Sequence, residues 1–365
     1  PGVQIVPAPR FGFSPLQAGF VARGIAFADA TIHLNAFRMA DIFTFLSLAD
    51  IAINGNLEVG GFRGIADFHA ARNIAFSPES TISSLNPGLS MVFSSGGPLD
   101  LNTVNFDLPG GFLALASGRS IDINSGYWIA TDGLRLAARG PVTISDLSLN
   151  NSEYVIGDPE AVSEFSFPQV NIFAGGPISI ANSDFGNAEL LAVTPDSFTI
   201  DGYFYARGLD AIAGTIDLDF WNLSYMDFAH LTQIDDWSLN GVSCSPYSDL
   251  AIGSFGTLTL SQVSLSGPSG VVISGQDVFL DYGSTINSSE TFDAEGVTID
   301  SGGKLYLTQD TTINSGNRID LRGMDIRLED AHLSVASSDP LHAIGARASS
   351  ALNLITSDLT STGPI

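Results

Sequence analysis

Short runs in which every second residue is apolar recur along the chain at a constant spacing. In the stretch 111–150, one apolar-x-apolar pair is followed by another eight residues later, and the whole unit then returns. The first copy contains Leu113, Leu115, Ile121 and Ile123, and the second contains Leu134, Leu136, Val142 and Ile144. Alternation with a period of two predicts β-strands, and a repeat of about 20 residues predicts a stacked array.

The same unit is found through most of the chain, and each copy offers three short strands separated by three corners. The second strand starts at an apolar anchor, and a third strand starts five residues later. The predicted second-strand anchors are Ile51, Ile74, Leu99, Ile121, Val142, Ile178, Phe198, Ile216, Leu258, Val278 and Ile319. The predicted third strands include Val104–Phe106, Leu147–Leu149, Val263–Leu265 and Met324–Ile326.

Three strands in a unit of about 21 residues predict an all-β fold, a single-stranded parallel β-helix of about 17 rungs. Crossovers between parallel strands are overwhelmingly right-handed, so we expect the right-handed form. A β-sandwich also has short strands with regular turns, but the constant offset of eight residues disfavours it. We expect the proline-rich residues 1–19 to form an irregular lead-in or cap. Residues 20–365 then form the coil, with a loop insertion near 150–168.

Composition narrows the classes of partner. The formal net charge is −25, from 39 acidic and 14 basic residues. Such a surface repels nucleic acid and anionic membranes, so neither is expected as a partner. No apolar stretch is long enough to predict a membrane span. The single cysteine, Cys244, excludes an intrachain disulfide, and we expect it to be a small buried residue.

The units 113–123 and 133–144 resemble the repeats of filamentous haemagglutinin-type adhesins, and they are similar to the β-helical passengers of bacterial autotransporters. The resemblance extends from about residue 20 to the end of the chain. It implies the β-helical fold and a secreted, extended protein that acts in adhesion at the cell surface. We therefore expect an extracellular, non-enzymatic structural or adhesive solenoid that is part of a surface fibre or filament.

The segment 203–228 is dense in aromatic residues. Exposed aromatic rings beside carboxylates form a platform on which sugar rings stack, whereas rings inside the coil would only fill the core. If the rings are exposed, they predict binding to a glycan. The candidate glycan-binding residues are Tyr203, Tyr205, Trp221 and Tyr225.

Two columns of polar residues are expected along the coil. One faces solvent from the middle of the second strand and contains Asp100, Asp122, Thr143, Ser179, Thr199, Asp217, Thr259 and Asp320. The other occupies a corner three residues after each anchor and contains Asn102, Asn124, Ser145, Asp201, Asp219, Ser261 and Asp281. Turn chemistry explains the corner residues. Asp201 and Asp219 are expected about 5 Å apart on adjacent rungs, where a bound Ca²⁺ would relieve their repulsion.

An enzymatic alternative is a polysaccharide lyase or glycoside hydrolase built on a β-helix. Such an enzyme needs clustered carboxylates, and the best candidates are the Asp201/Asp219 corner and Asp235–Asp236 beside Trp237. A solvated turn is the favoured interpretation of Asp235–Asp236. The polygalacturonase signatures Asn-Thr-Asp, Gly-His-Gly and Arg-Ile-Lys do not occur, and the five histidines lack metal-ligand spacing. We therefore predict no catalytic residue.

The expected partners follow from the ends of the array. Leu352, Leu354 and Leu359 continue the repeat almost to Ile365, and no amphipathic helix closes it. An uncovered rung exposes backbone hydrogen-bonding groups and an apolar interior. We expect the stack to continue onto copies of the same chain or onto a longer continuation of the solenoid, with a glycan or cell-surface receptor as a further partner.

Overall fold

The structure is a computed structural model, and it describes residues 17–33, 42–60, 64–130, 133–150, 169–289, 296–336 and 344–361. The chain divides into two compact units, Pro1–Ala206 and Arg207–Ile365. In each unit the described strands pair in parallel and stack as a β-solenoid, which confirms the predicted parallel β-helix. In the described residues, no helix has the length and apolar character needed to cross a membrane.

The first unit repeats three strand positions per rung, and several strands continue around a corner from one position to the next. Its strands are β1 (Gln17–Ala22), β2 (Ile25–His33), β3 (Ile42–Ser47), β4 (Ile51–Gly60), β5 (Gly64–Ala70), β6 (Ile74–Phe76), β7 (Thr81–Ser84), β8 (Leu89–Ser95), β9 (Leu99–Asn102), β10 (Asn105–Leu108), β11 (Phe112–Ser117), β12 (Ile121–Ala130), β13 (Gly133–Ala138), β14 (Val142–Asn150), β15 (Gln169–Ala174), β16 (Ile178–Asp184) and β17 (Glu189–Tyr205).

The second unit has the same three positions, and its third strands form a separate six-stranded sheet. A single helical turn, α1 (Phe220–Leu223), interrupts the first rung. The strands are β18 (Gly208–Leu218), β19 (Phe228–Gln233), β20 (Trp237–Asn240), β21 (Ser243–Cys244), β22 (Asp249–Ser254), β23 (Thr257–Ser261), β24 (Ser264–Ser266), β25 (Gly270–Gly275), β26 (Asp277–Asp281), β27 (Thr285–Ser288), β28 (Gly296–Ser301), β29 (Lys304–Leu307), β30 (Thr312–Ser315), β31 (Ile319–Glu329), β32 (His332–Val335), β33 (Ile344–Ile355) and β34 (Asp358–Ser361).

The inward anchors stack in one column, as the sequence predicts. Leu99 pairs with Ile121, Ile121 with Val142, and Val142 with Ile178, before the column continues to Phe198. All five side chains are buried. Because the register is the same from one rung to the next, each aliphatic side chain rests on its counterpart below it.

The predicted number of rungs is wrong. The described residues form about 13 rungs rather than 17, because many rungs are longer than the repeat in the stretch 111–150. The residues Gln17, Ile42, Ile65 and Ser90 pair in succession. Each of these steps spans more of the chain than the regular step from Leu113 to its partner Leu134.

The assignment of Ile319 to a second strand is also wrong. Ile319 pairs with Val297 in the first-strand column, whereas Ile326 pairs with Leu305 in the second. Met324 therefore lies at the corner between these positions and is 53% exposed instead of buried. An apolar-x-apolar pair has the same appearance in a first strand and in a second strand. The assignment of Ile319 and of the residues after it was therefore displaced by one strand.

The corner between the second and third strands lies one residue later than predicted. Asn102 and Asn124 still pair within the strands, and the chain turns at Thr103 and Ser125, where φ is 55° and 60°. A residue in this left-handed region recurs in successive rungs. The set is Asp29, Gly55, Glu79, Thr103, Ser125, Asp146, Asn182 and Gly202 in the first unit, and Gly241, Gln262, Tyr282, Gln309, Asp330 and Thr356 in the second. Glycine and polar residues predominate there because they tolerate positive φ better than bulky apolar ones.

The first unit has an aromatic core that the periodicity did not reveal. Phe45, Phe68 and Phe93 occupy the same inward position on successive rungs. Their ring centroids are 4.8 Å apart at interplanar angles of 9°. Phe106 and Trp128 continue the aromatic packing edge to face, with centroids 4.9 Å apart. The spacing between parallel strands is thus also the spacing between stacked rings.

Buried hydroxyl groups hold the corner that follows the first strand. In the rung of Ser117, the Oγ atom donates to the carbonyl oxygen of Gly97 on the rung before, at 2.8 Å. The same atom accepts the N–H of Arg119 at 3.0 Å. Ser95 and Ser254 make equivalent pairs of bonds in their own rungs. One hydroxyl therefore closes the corner and links it to its neighbour.

We predict that Phe68→Ala lowers the free energy of unfolding by about 3–5 kcal/mol, because it removes the middle ring of the stack and leaves a cavity. Guanidinium unfolding followed by circular dichroism measures this loss. Phe255→Ala, at a position that is 67% exposed, is the matched control and should change stability little. Equal losses from the two variants would contradict the stacked core.

Ser117→Ala should cost about 1–2 kcal/mol, because it leaves the Gly97 carbonyl and the Arg119 N–H without their partner. Ser94→Ala, on the outer face of β8, is the control, since its side chain is half-buried and points away from the core. The same unfolding experiment compares the two variants. No difference between them would show that the Ser117 hydroxyl does not hold the corner.

Candidate functional surface

The four aromatic candidates for glycan binding divide between the two units. Tyr203 and Tyr205 end β17 in the first unit, whereas Trp221 lies in α1 and Tyr225 follows it in the second unit. Phe204, between the two tyrosines, is buried, as is Phe220. The aromatic-dense segment therefore contributes to the core through its phenylalanines and to the surface through its tyrosines.

Tyr203 and Tyr205 form the first candidate surface. Alternation in β17 points both side chains outward, and Tyr203 is 60% exposed. Asp184 on the preceding rung is in register with Tyr205. The Asn182 side chain accepts the backbone N–H of Tyr203 at 3.3 Å. We call Asn182, Asp184, Tyr203 and Tyr205 the tyrosine surface.

The surroundings of Tyr203 disfavour ionisation of its hydroxyl. Desolvation, then the Asp184 carboxylate and then Tyr205 raise the pKa of the Tyr203 hydroxyl above its usual value. A neutral phenol donates one hydrogen bond and also accepts. The tyrosine surface therefore combines ring faces with a donor hydroxyl and a carboxylate acceptor, which are the groups that a polyhydroxylated ligand needs.

A second pair of exposed tyrosines lies in the second unit, and only one of them, Tyr225, belongs to the aromatic-dense segment of the sequence. Tyr225 and Tyr247 are 48% and 65% exposed. The N–H of Tyr247 donates to the carbonyl of Met226 at 2.8 Å, so the two tyrosines flank the same corner on adjacent rungs. Tyr247 follows Tyr225 by one repeat of the sequence, which is the signal that could have identified it.

The proposed calcium residues fall in different units, Asp201 in the first and Asp219 in the second. Asp201 pairs with Ala181 on the rung before it. Across the described part of the chain, no group of three or more His, Cys, Asp and Glu side chains is placed to hold a metal ion. Ca²⁺ binding at Asp201 and Asp219 stays a prediction.

The acidic doublets have structural partners. The Asp236 carboxylate accepts the N–H of Thr257 on the next rung at 2.6 Å, and the Asp235 carbonyl accepts the Ser254 hydroxyl. Trp237 is buried in the core. A second pair of adjacent acidic residues in the sequence, Glu329–Asp330, is also structural, because Glu329 pairs with Arg327 and Asp330 occupies a left-handed corner. These contacts agree with the solvated-turn interpretation of Asp235–Asp236.

The solvent-facing polar column is present in the first unit. Asp100, Asp122, Thr143, Ser179 and Thr199 are in register on successive rungs. Asp320 does not belong to this column, because it pairs with Thr298 in the first-strand sheet. It is mostly buried and binds the Arg322 guanidinium at 2.6 Å.

Two further predictions from the sequence concern Cys244 and the insertion near 150–168. Cys244 is buried, as predicted, and burial raises the pKa of its thiol to about 12, so it is not a reactive nucleophile. The predicted insertion near 150–168 lies outside the described residues, apart from Asn150, which ends β14. The Asn150 amide donates to the Tyr127 hydroxyl at 2.8 Å.

Comparison with known families supports the resemblance seen in the repeats. The haemagglutinin repeat model matches residues 113–185 and 256–323, one segment in each unit. No curated protein and no solved structure matches the chain. These two segments thus match haemagglutinin repeats, which are typical of secreted or cell-surface proteins and typically non-enzymatic. Repeat and fold together support an adhesin-like structural role.

Proposed function

We propose that this chain is an extracellular, non-enzymatic section of an adhesive surface fibre. The observation that carries the proposal is the presence of haemagglutinin repeats in a parallel β-solenoid. A solenoid of this kind presents side chains at fixed intervals along a rigid surface, which suits a scaffold for contacts. The net charge of −25 favours solubility.

Adhesion requires a surface that binds a ligand, and the tyrosine surface is our candidate. Outward side chains two positions apart on a strand are separated by about 7 Å. Tyr203 and Tyr205 therefore offer two ring faces side by side, with Asp184 next to Tyr205. Sugar rings stack their C–H groups on aromatic faces while their hydroxyls bond to polar groups at the edge, so we propose a glycan as the ligand.

The last described rung supports self-association or continuation of the stack. Leu352 and Leu354 pair with Ile326 and Leu328, which are buried beneath them. Leu352 and Leu354 are themselves 46% and 52% exposed. One further rung of the same kind would bury both leucines and pair with the outer edge of β33. We propose that a copy of this chain or a longer continuation provides it.

A glycan array followed by calorimetry on the selected glycan tests the adhesive role. We expect Tyr203→Ala combined with Tyr205→Ala to weaken binding at least about tenfold, since each aromatic contact contributes about 1 kcal/mol. Tyr282→Ala, at another exposed tyrosine, is the control and should bind as the unmodified chain does.

The same samples are assayed for new reducing ends, which separates binding from cleavage. Release of reducing ends that is lost in Asp219→Asn would replace our proposal with the glycoside hydrolase or lyase alternative. Binding that survives the double substitution would show that the glycan binds elsewhere on the chain and not at the tyrosine surface. The proposed adhesive role would then still stand.

Sedimentation velocity of the chain at rising concentration tests self-association. We expect larger species in the micromolar range that disappear in Leu354→Glu, because a charge on the last rung opposes stacking. Leu48→Glu, at an exposed position in the first unit, is the control and should associate normally. A chain that stays monomeric throughout would contradict end-to-end association.

A further inference from the structure

The first unit carries a groove on the outer face of its first-strand sheet. Ala116, Ala137, Phe173 and Val193 are in register on four successive rungs and point outward. They line a groove of about 400 Å³, bounded by Arg139 and Pro195. Outward positions of a sheet that faces water are normally polar, so four apolar residues in one row are unusual here.

Three arginines lie beside this groove, although the chain has only 14 basic residues against 39 acidic ones. Arg135 and Arg139 flank Ala137 along the same segment, and Arg119 lies at the corresponding corner of the rung before. Arg135 lies over the ring of Phe173, 5.5 Å from its centroid. In the described part of the chain, none of these three guanidinium groups forms an ion pair with a carboxylate.

We infer that the groove binds an extended acidic peptide segment of a partner protein. Arg135 and Ala137 are two residues apart in β13, which separates their outward side chains by about 7 Å, and Arg139 follows in the bend directly after the strand. A peptide in extended conformation presents its own alternate side chains with the same spacing. The segment that fits crosses the row of apolar residues parallel to β13 and has the pattern acidic-x-apolar-x-acidic, with its apolar side chain against Ala137 and a carboxylate at each arginine.

The lining of the groove favours a peptide over a polysaccharide. Ala116, Ala137, Phe173 and Val193 offer side chains without hydrogen-bonding groups, so sugar hydroxyls buried against them would lose their water partners at a cost. An aliphatic peptide side chain has no hydrogen bonds with water to lose there, and it gains contact area. Phe173 also holds Arg135 in place before binding, which reduces the ordering cost of its bond to a carboxylate.

The test uses the full chain and a labelled peptide, acetyl-Gly-Glu-Thr-Val-Thr-Glu-Gly, in fluorescence anisotropy. We expect saturable binding that weakens as salt is raised from about 50 to about 300 mM, because the contacts are charge pairs at the surface. Arg135→Gln and Arg139→Gln should each weaken binding about three- to tenfold, and Ala137→Asp should abolish it. Circular dichroism verifies that each variant is folded.

Matched controls distinguish the groove from a general effect of charge. Arg23→Gln removes the same charge from an exposed position in the first rung of this unit, and it should leave binding unchanged. An equal loss in Arg23→Gln would overturn the proposal, as would equal binding of the peptide in which both glutamates are replaced by glutamine. A sulfated oligosaccharide that binds through Arg135 and Arg139 while the peptide does not would also overturn it.

Discussion

The structure depends on one constraint, the constant register between parallel strands on successive rungs. Backbone hydrogen bonds fix the distance between rungs, and the register decides which side chain rests on which. Leu99, Ile121 and Val142 therefore form an aliphatic column, and Phe45, Phe68 and Phe93 form a column of stacked rings at the same spacing. A residue in this fold is stabilised mainly by its equivalents one repeat away, so the core is a set of columns rather than a single cluster.

The corners preserve this register at some local cost. Non-glycine residues such as Thr103 and Gln262 adopt positive φ, which disfavours each of them by about 1 kcal/mol relative to ordinary backbone. Bonds between rungs offset this cost. For example, the Thr103 hydroxyl accepts the N–H of Glu79 from the previous rung at 3.0 Å. Together with the buried hydroxyls after the first strand, these contacts make the corners depend on the rungs beside them.

The sequence was sufficient to predict the strands, the three positions per rung and the inward columns, because alternation and period express burial directly. It could not assign Ile319 to the correct column, since an apolar pair has the same appearance in each strand. It also missed the groove beside Phe173. The sequence alone does not show that Ala116, Ala137 and Val193 are neighbours. The register between rungs shows it, because it places them in one outward-facing row. Tyr203 and Tyr225 were predicted from the density of aromatic residues, whereas Tyr247 lies outside that segment and could be predicted only from its position one repeat after Tyr225.

The pairing on either side of the long segment between β14 and β15 has a practical consequence. Val142 pairs with Ile178, and Leu134 with Val170, in unbroken register across that interruption. The coil thus accepts a sizeable polypeptide at this corner without a shift in its ladder, since closing a longer loop adds little entropic cost. This corner is a natural point at which to graft a foreign epitope or a small binding module, displayed at a known height along the side of the first unit.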